Sequence, residues 1–129
     1  MIITLVYEGC PITKKNHQEI HLNRRTGARF VAQSDRYKTY EKECVWLTPA
    51  AVKILIDQPC RVACVYFMPD HRRVDLLNLM AATHDILVKA QVLKDDSSKV
   101  IVSVDGSRVD FDKSRPRVEV QLEIRNDGM

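Results

Sequence analysis

Apolar positions along the chain follow two periods. Ile2 to Tyr7 and Arg61 to Met68 are short runs rich in β-branched and aromatic residues, which predicts strands, the second largely buried. Lys99 to Val104 predicts another. Over Arg117 to Ile124, Val118, Val120, Leu122 and Ile124 alternate with Glu119, Gln121 and Glu123, which predicts a strand with one buried and one wet face. Elsewhere the period is helical. Tyr37, Tyr40, Cys44 and Leu47 fall on one face of a helix that starts near Arg36, with Ser34 or Asp35 as its cap. A shorter helix is expected from Pro49 to about Ile56, capped by Thr48 and stopped by Gln58-Pro59. Leu76, Leu79, Met80, Ile86, Leu87 and Ala90 predict the buried face of a strong helix over 75–90, and Asp75, Asn78, Ala82 and Asp85 trace a second, polar stripe.

The connections carry turn chemistry. Pro11 to Ser34 reads as a loop or hairpin turning at Asn23 to Ala28 (NRRTGA), and Asp105-Gly106 reads as a hairpin turn. The resulting order predicts an α/β (α+β) fold, a mixed sheet with helices packed on it, as a single domain over residues 1–129. There are no internal repeats.

Composition removes several functions. The four glycines, Gly9, Gly27, Gly106 and Gly128, stand too far apart for a dinucleotide fingerprint, a P-loop or a serine elbow, so no nucleotide cofactor is expected. The longest apolar run, Val62 to Met68, is far short of the roughly 20 residues of a membrane span, and MIITLVYEG lacks the basic flank of a secretory signal. A cytosolic location is expected. Cys10, Cys44, Cys60 and Cys64 form no C-x-x-C pair, and Cys60 and Cys64 are expected to act as small hydrophobes on one strand face. His17 to His21 is not a zinc-protease helix, because Gln18 stands where the general base must follow the first histidine.

Net charge is +3, too modest by itself to require a polyanionic partner. Its distribution says more: from Lys14 to Lys38 seven basic residues (Lys14, Lys15, Arg24, Arg25, Arg29, Arg36, Lys38) face two acidic ones, Glu19 and Asp35. A long basic loop of this kind suits a phosphate-facing surface. Further on, MPDHRRVDLLNLMAATHDILVKAQVLKDDSSKV places a basic cluster before Asp75, a helix carrying Asn78, and the pair Asp95-Asp96 just beyond it. Carboxylates entering from a helix start and from the following loop can converge on one hard cation, and magnesium so held activates water against a phosphodiester. The bland alternative is that Asp75 caps its helix and Asp95-Asp96 solvates a loop.

The arrangement R-x-D-L-x-N-L, a helix with a central Asp and L-x-K-A near its end, then D-D and a strand, resembles the RusA family of Holliday-junction endonucleases. Here those elements are Arg73, Asp75-Leu76, Asn78-Leu79, Asp85, Leu87, Lys89-Ala90, Asp95-Asp96 and Val100. The opening strand, PITKKN (Pro11 to Asn16) and the strand ending Met68-Pro69-Asp70 extend the resemblance over most of the chain. It implies a magnesium-dependent, or manganese-dependent, structure-selective endonuclease that resolves Holliday junctions in recombination and repair, acts as a homodimer and is often phage-borne. By that match Asp75 and Asp96 are catalytic and metal-binding, and Asn78, beside the metal, is the third catalytic residue and orients the site; a further metal ligand is expected from a neighbour, Asp95 first, with Asp105 or Asp70 as alternatives. Lys14, Lys15, Arg24, Arg25, Arg72 and Arg73 are the expected DNA contacts. Two positions depart from the family pattern D-x-D-N-L-x-K: Leu77 stands for Asp and Ala81 for Lys. The alternative is therefore a catalytically silent protein that binds branched DNA on the same fold.

Overall fold

A computed structural model describes residues 1–14, 18–33 and 35–125, so Lys15, His17 and the Ser34 cap lie outside the described residues. Seven strands and two α-helices follow in chain order: β1 (Ile2–Glu8), β2 (Gln18–Leu22), β3 (Arg29–Gln33), α1 (Asp35–Leu47), β4 (Cys60–Met68), α2 (Leu76–Lys89), β5 (Ile101–Ser103), β6 (Arg108–Phe111) and β7 (Arg117–Ile124). Among the described residues these make a mixed five-stranded sheet, a separate β2–β3 hairpin and two helices. No described helix is long and apolar enough to cross a membrane.

β7 runs antiparallel between β1 and β4. That central place explains its alternation. Val118, Val120, Leu122 and Ile124 are buried beneath the helices, while Arg117, Glu119, Gln121 and Glu123 are only half-buried on the other face. There they pair laterally: Arg117 Nε lies 2.8 Å from Glu119 and Arg61 Nε lies 3.5 Å from Glu123. β4 adds Cys60, Val62, Cys64 and Tyr66 to the core, against Tyr37, Tyr40 and Cys44 of α1 and Leu79, Ile86 and Leu87 of α2. Cys60 and Cys64 are thus small core groups; burial raises both thiols, Cys64 to about 12.

Buried hydroxyls register the layers. Thr83 Oγ1 donates to Leu79 O at 3.1 Å, so the Tyr66 hydroxyl donates to Thr83 across 2.7 Å and ties β4 to α2. Thr48 Oγ1 similarly donates to Cys44 O at 2.8 Å and accepts from Tyr7, joining α1 to β1.

Five expectations change. The helix expected from Pro49 to Ile56 is a single 3₁₀ turn, Ala50–Val52, because Leu55 takes a positive φ of 51° and Ile56 leaves to bridge Leu93 in parallel. Thr48 accordingly serves the Tyr7 contact rather than a cap. Asp105-Gly106 does not reverse the chain: β5 and β6 both run parallel to β4, and the turn steps from its start to its end. Gly106 has φ +94°, and Ser107 Oγ accepts from Cys64 N at 3.0 Å, which seats the step on β4. Leu47, expected on the buried face of α1, is exposed, whereas Ala82 of the polar stripe is buried. The NRRTGA turn joins β2 to β3 as expected, closed by Asn23 N to Ala28 O at 2.7 Å.

Candidate functional site

The β4–α2 connection, 69–75, brings Arg72, Arg73 and Asp75 to the end of β4. α2 starts where it does because Asp75 is its N-cap: with extended backbone (φ −91°, ψ 117°), its Oδ1 accepts from Leu77 N at 2.9 Å and from Asn78 N at 3.3 Å. Asp75 therefore performs the bland role, and it also lines a shallow recess with Arg73, Val74 and Asn78. The recess holds one carboxylate, one guanidinium and one amide, a set suited to orienting phosphate oxygens and water.

The second half of the acidic pattern lies beyond α2. Asp95 is committed to its own turn: its Oδ1 accepts from Ser97 N at 2.8 Å, and the Ser97 hydroxyl and amide hold its carboxyl below the ordinary carboxylate value. Asp96 is exposed, and its charge acts on His84 in the middle of α2. Burial lowers the His84 pKa and the Asp96 charge opposes that shift, while His84 Nε2 is buried with no hydrogen-bond partner among the described residues. At about 100° per residue, positions 77, 81, 84 and 88 fall within about 60° of one another on α2. Leu77, Ala81 and His84 thus share one face, with Leu77 70% exposed and Ala81 exposed. His84 lies off the stripe through Asn78, Ala82 and Asp85, and its i+7 spacing from Leu77 is the sequence signal that places it on this face.

Among the described residues no three His, Cys, Asp or Glu side chains gather in a way that could hold a metal ion. Asp75 and Asp96 are hard oxygen donors of the right chemistry; Asp75 and Asp95 each give Oδ1 to backbone N–H groups of their own turns, and Leu77 offers no donor, so two carboxylates stand ready for a hard cation without a third already gathered beside them.

The basic residues divide by environment. Arg24 and Arg25 are exposed in the β2–β3 turn, where Asn23 Oδ1 accepts from Arg25 N at 2.9 Å. Arg72 and Arg73 are exposed in the β4–α2 connection, and Arg72 Nε is 3.5 Å from Asp70. Lys14 instead pairs with Asp85 of α2, its ammonium 5.9 Å from the Tyr37 ring centroid. Sequence reasoning missed an exposed aromatic pair beside Arg72: the rings of His71 and Phe111 stack with centroids 4.2 Å apart and 20° between planes. Phe111 ends β6, a four-residue strand all of whose residues are exposed.

A family model described as "Endodeoxyribonuclease RusA" matches residues 8–123. No curated protein matches the chain.

Proposed function

The chain belongs to the RusA endodeoxyribonuclease family, and from that premise we propose that it acts on branched DNA, with the four-way recombination junction as its substrate. The observation that carries the proposal is the family match across residues 8–123, which contains the whole β4–α2 connection and the acidic loop. Asp75 and Asp96 are assigned as the catalytic carboxylates, with Asn78 beside Asp75. A divalent ion, Mg²⁺ or Mn²⁺, would supply water activation and phosphodiester polarisation when bound. Asp75 and Asp96 would hold it, with Asp95, whose Oδ1 also accepts from Ser97 N, as the further oxygen donor. Arg24, Arg25, Arg72, Arg73, Lys14 and Lys15 are assigned to backbone phosphates, which set register on the duplex arms; Lys14 must exchange Asp85 for phosphate to do so. A two-fold homodimer in the cytoplasm would match the two symmetry-related strands of a junction.

A second reading, branched-DNA binding without cleavage, is favoured by one specific observation: positions 77 and 81 present Leu and Ala on an exposed face of α2 where the family pattern has an acid and a base. Incubating a labelled synthetic four-way junction with the chain, with and without Mg²⁺ or Mn²⁺, separates the two. Metal-dependent paired nicks across the junction establish the nuclease. A retarded but intact junction establishes the silent binder, and a junction neither retained nor cut removes both.

A further inference from the structure

We propose that the His71–Phe111 stack is a platform for a nucleobase left unstacked at the branch point of a DNA junction. The proposal rests on the reading of the chain as a branched-DNA protein. Phe111 is 41% exposed and His71 is exposed, yet their rings are already ordered face to face. A stack of two rings uses one face of each, which leaves a flat aromatic surface for a third. Its position is fixed from below: Asp112 N donates to Met68 O at 2.9 Å, pinning the end of β6 to the end of β4. Asp112 is in turn held by Arg117 Nη1 at 2.9 Å, and that guanidinium covers the Phe67 ring at 3.9 Å.

The surroundings match a nucleotide rather than a purely apolar guest. The two aromatics line one recess with Arg72, Arg73, Val109 and Asp110, and Arg73 and Val74 also border the recess that holds Asp75 and Asn78. A base on the rings therefore has guanidinium groups beside it for its phosphate, and its strand leads toward Asp75. The acids in this recess are partly offset, with Asp70 3.5 Å from Arg72 and Asp110 4.0 Å from Arg108. Aromatic faces joined to a basic groove are how sequence-tolerant single-strand sites work, because every base has a π-face. Bases inside a duplex arm are already stacked on both sides. A platform of this kind consequently distinguishes a branch point from the arms, which phosphate contacts alone do not do.

The test uses the full chain in EDTA and a four-way junction carrying 2-aminopurine either at the branch point or within an arm. The wild-type chain should change 2-aminopurine emission at the branch point and leave the arm probe unchanged. Phe111→Ala and His71→Ala should each weaken junction binding about 5- to 160-fold, the range of one lost base stack, with an unchanged salt slope. Phe111→Trp and His71→Phe keep a stacking surface and should retain binding, which separates lost stacking from lost folding. Binding of Phe111→Ala within two-fold of wild type, or equal responses from both probe positions, overturns the platform while leaving the functional reading in place. A wild-type chain that does not prefer the junction to linear duplex overturns the functional reading and the platform with it.

Discussion

Asp75 is both the N-cap of α2 and the first candidate catalytic carboxylate, and substitution can separate the two roles. Its Oδ1 receives two backbone N–H groups that have no helical acceptor, at 2.9 and 3.3 Å. Asparagine offers an equivalent carbonyl oxygen and ranks with aspartate as a cap, so Asp75→Asn should forfeit only the charge–dipole part, a few tenths of a kcal/mol. Alanine offers nothing, and Asp75→Ala should cost about 1–1.5 kcal/mol. With an unfolding entropy of about 2.1 cal/mol/K per residue, 1 kcal/mol corresponds to about 4 °C in a chain of this length, so Asp75→Ala should lower Tm by roughly 4–6 °C and Asp75→Asn by no more than about 2 °C. Thermal melts by far-ultraviolet circular dichroism read this; Trp46 is 85% exposed and is a poor fluorescence reporter of the core. In the nuclease reading Asp75→Asn abolishes cleavage yet binds junction DNA as tightly as wild type or slightly more so, because one negative charge leaves the phosphate face. Equal destabilisation by Asn and Ala would refute the capping account, and undiminished cleavage by Asp75→Asn would refute the catalytic one.

Leu77→Asp with Ala81→Lys should create or raise metal-dependent junction cleavage, because both positions are exposed on one face of α2 and Asp75 occupies the cap; the pair also stands at the favourable i, i+4 spacing, so helix stability should not fall. A double variant that folds, binds junction and shows no gain in cleavage would place the site elsewhere. Arg72→Ala and Arg73→Ala should each lower the slope of log affinity against log salt by roughly 0.9 on duplex arms, measured by anisotropy titrations across salt, and unchanged slopes would exclude them from the phosphate face. The Arg117 and Ser114 hydrogen bonds hold the Asp112 carboxyl below its ordinary value of 3.8. Its contribution to stability is thus complete above about pH 4 and is lost as pH falls through the lower folded value, so Asp112→Asn should flatten the acid limb of a urea-stability profile below pH 4.

What the sequence made legible followed from burial. β7 and α2 each set one face against the core, so their periods of two and 3.6 survive in the residue order, and Cys60 and Cys64 read as core groups for the same reason. β6 is hard to read because it is only four residues long and its R-V-D-F alternation buries neither face. The Asp105-Gly106 dipeptide reported a positive φ but not the direction of the chain after it, which the parallel pairing with β4 decides. At the site, Asp75 could be placed at the helix start because capping is local. The Lys14–Asp85 pair, the charge of Asp96 on His84 and the His71–Phe111 stack join residues distant in the chain, and composition carries no trace of them.

The central claim, that this face recognises a branch rather than DNA in general, is tested most directly by equilibrium binding in EDTA of an immobile four-way junction and of a linear duplex made from the same arm sequence. At one salt concentration the chain should bind the junction at least about tenfold more tightly, a difference of about 1.4 kcal/mol. Equal affinities, falling together as salt rises, would reduce the basic surface to a general phosphate contact and contradict the account.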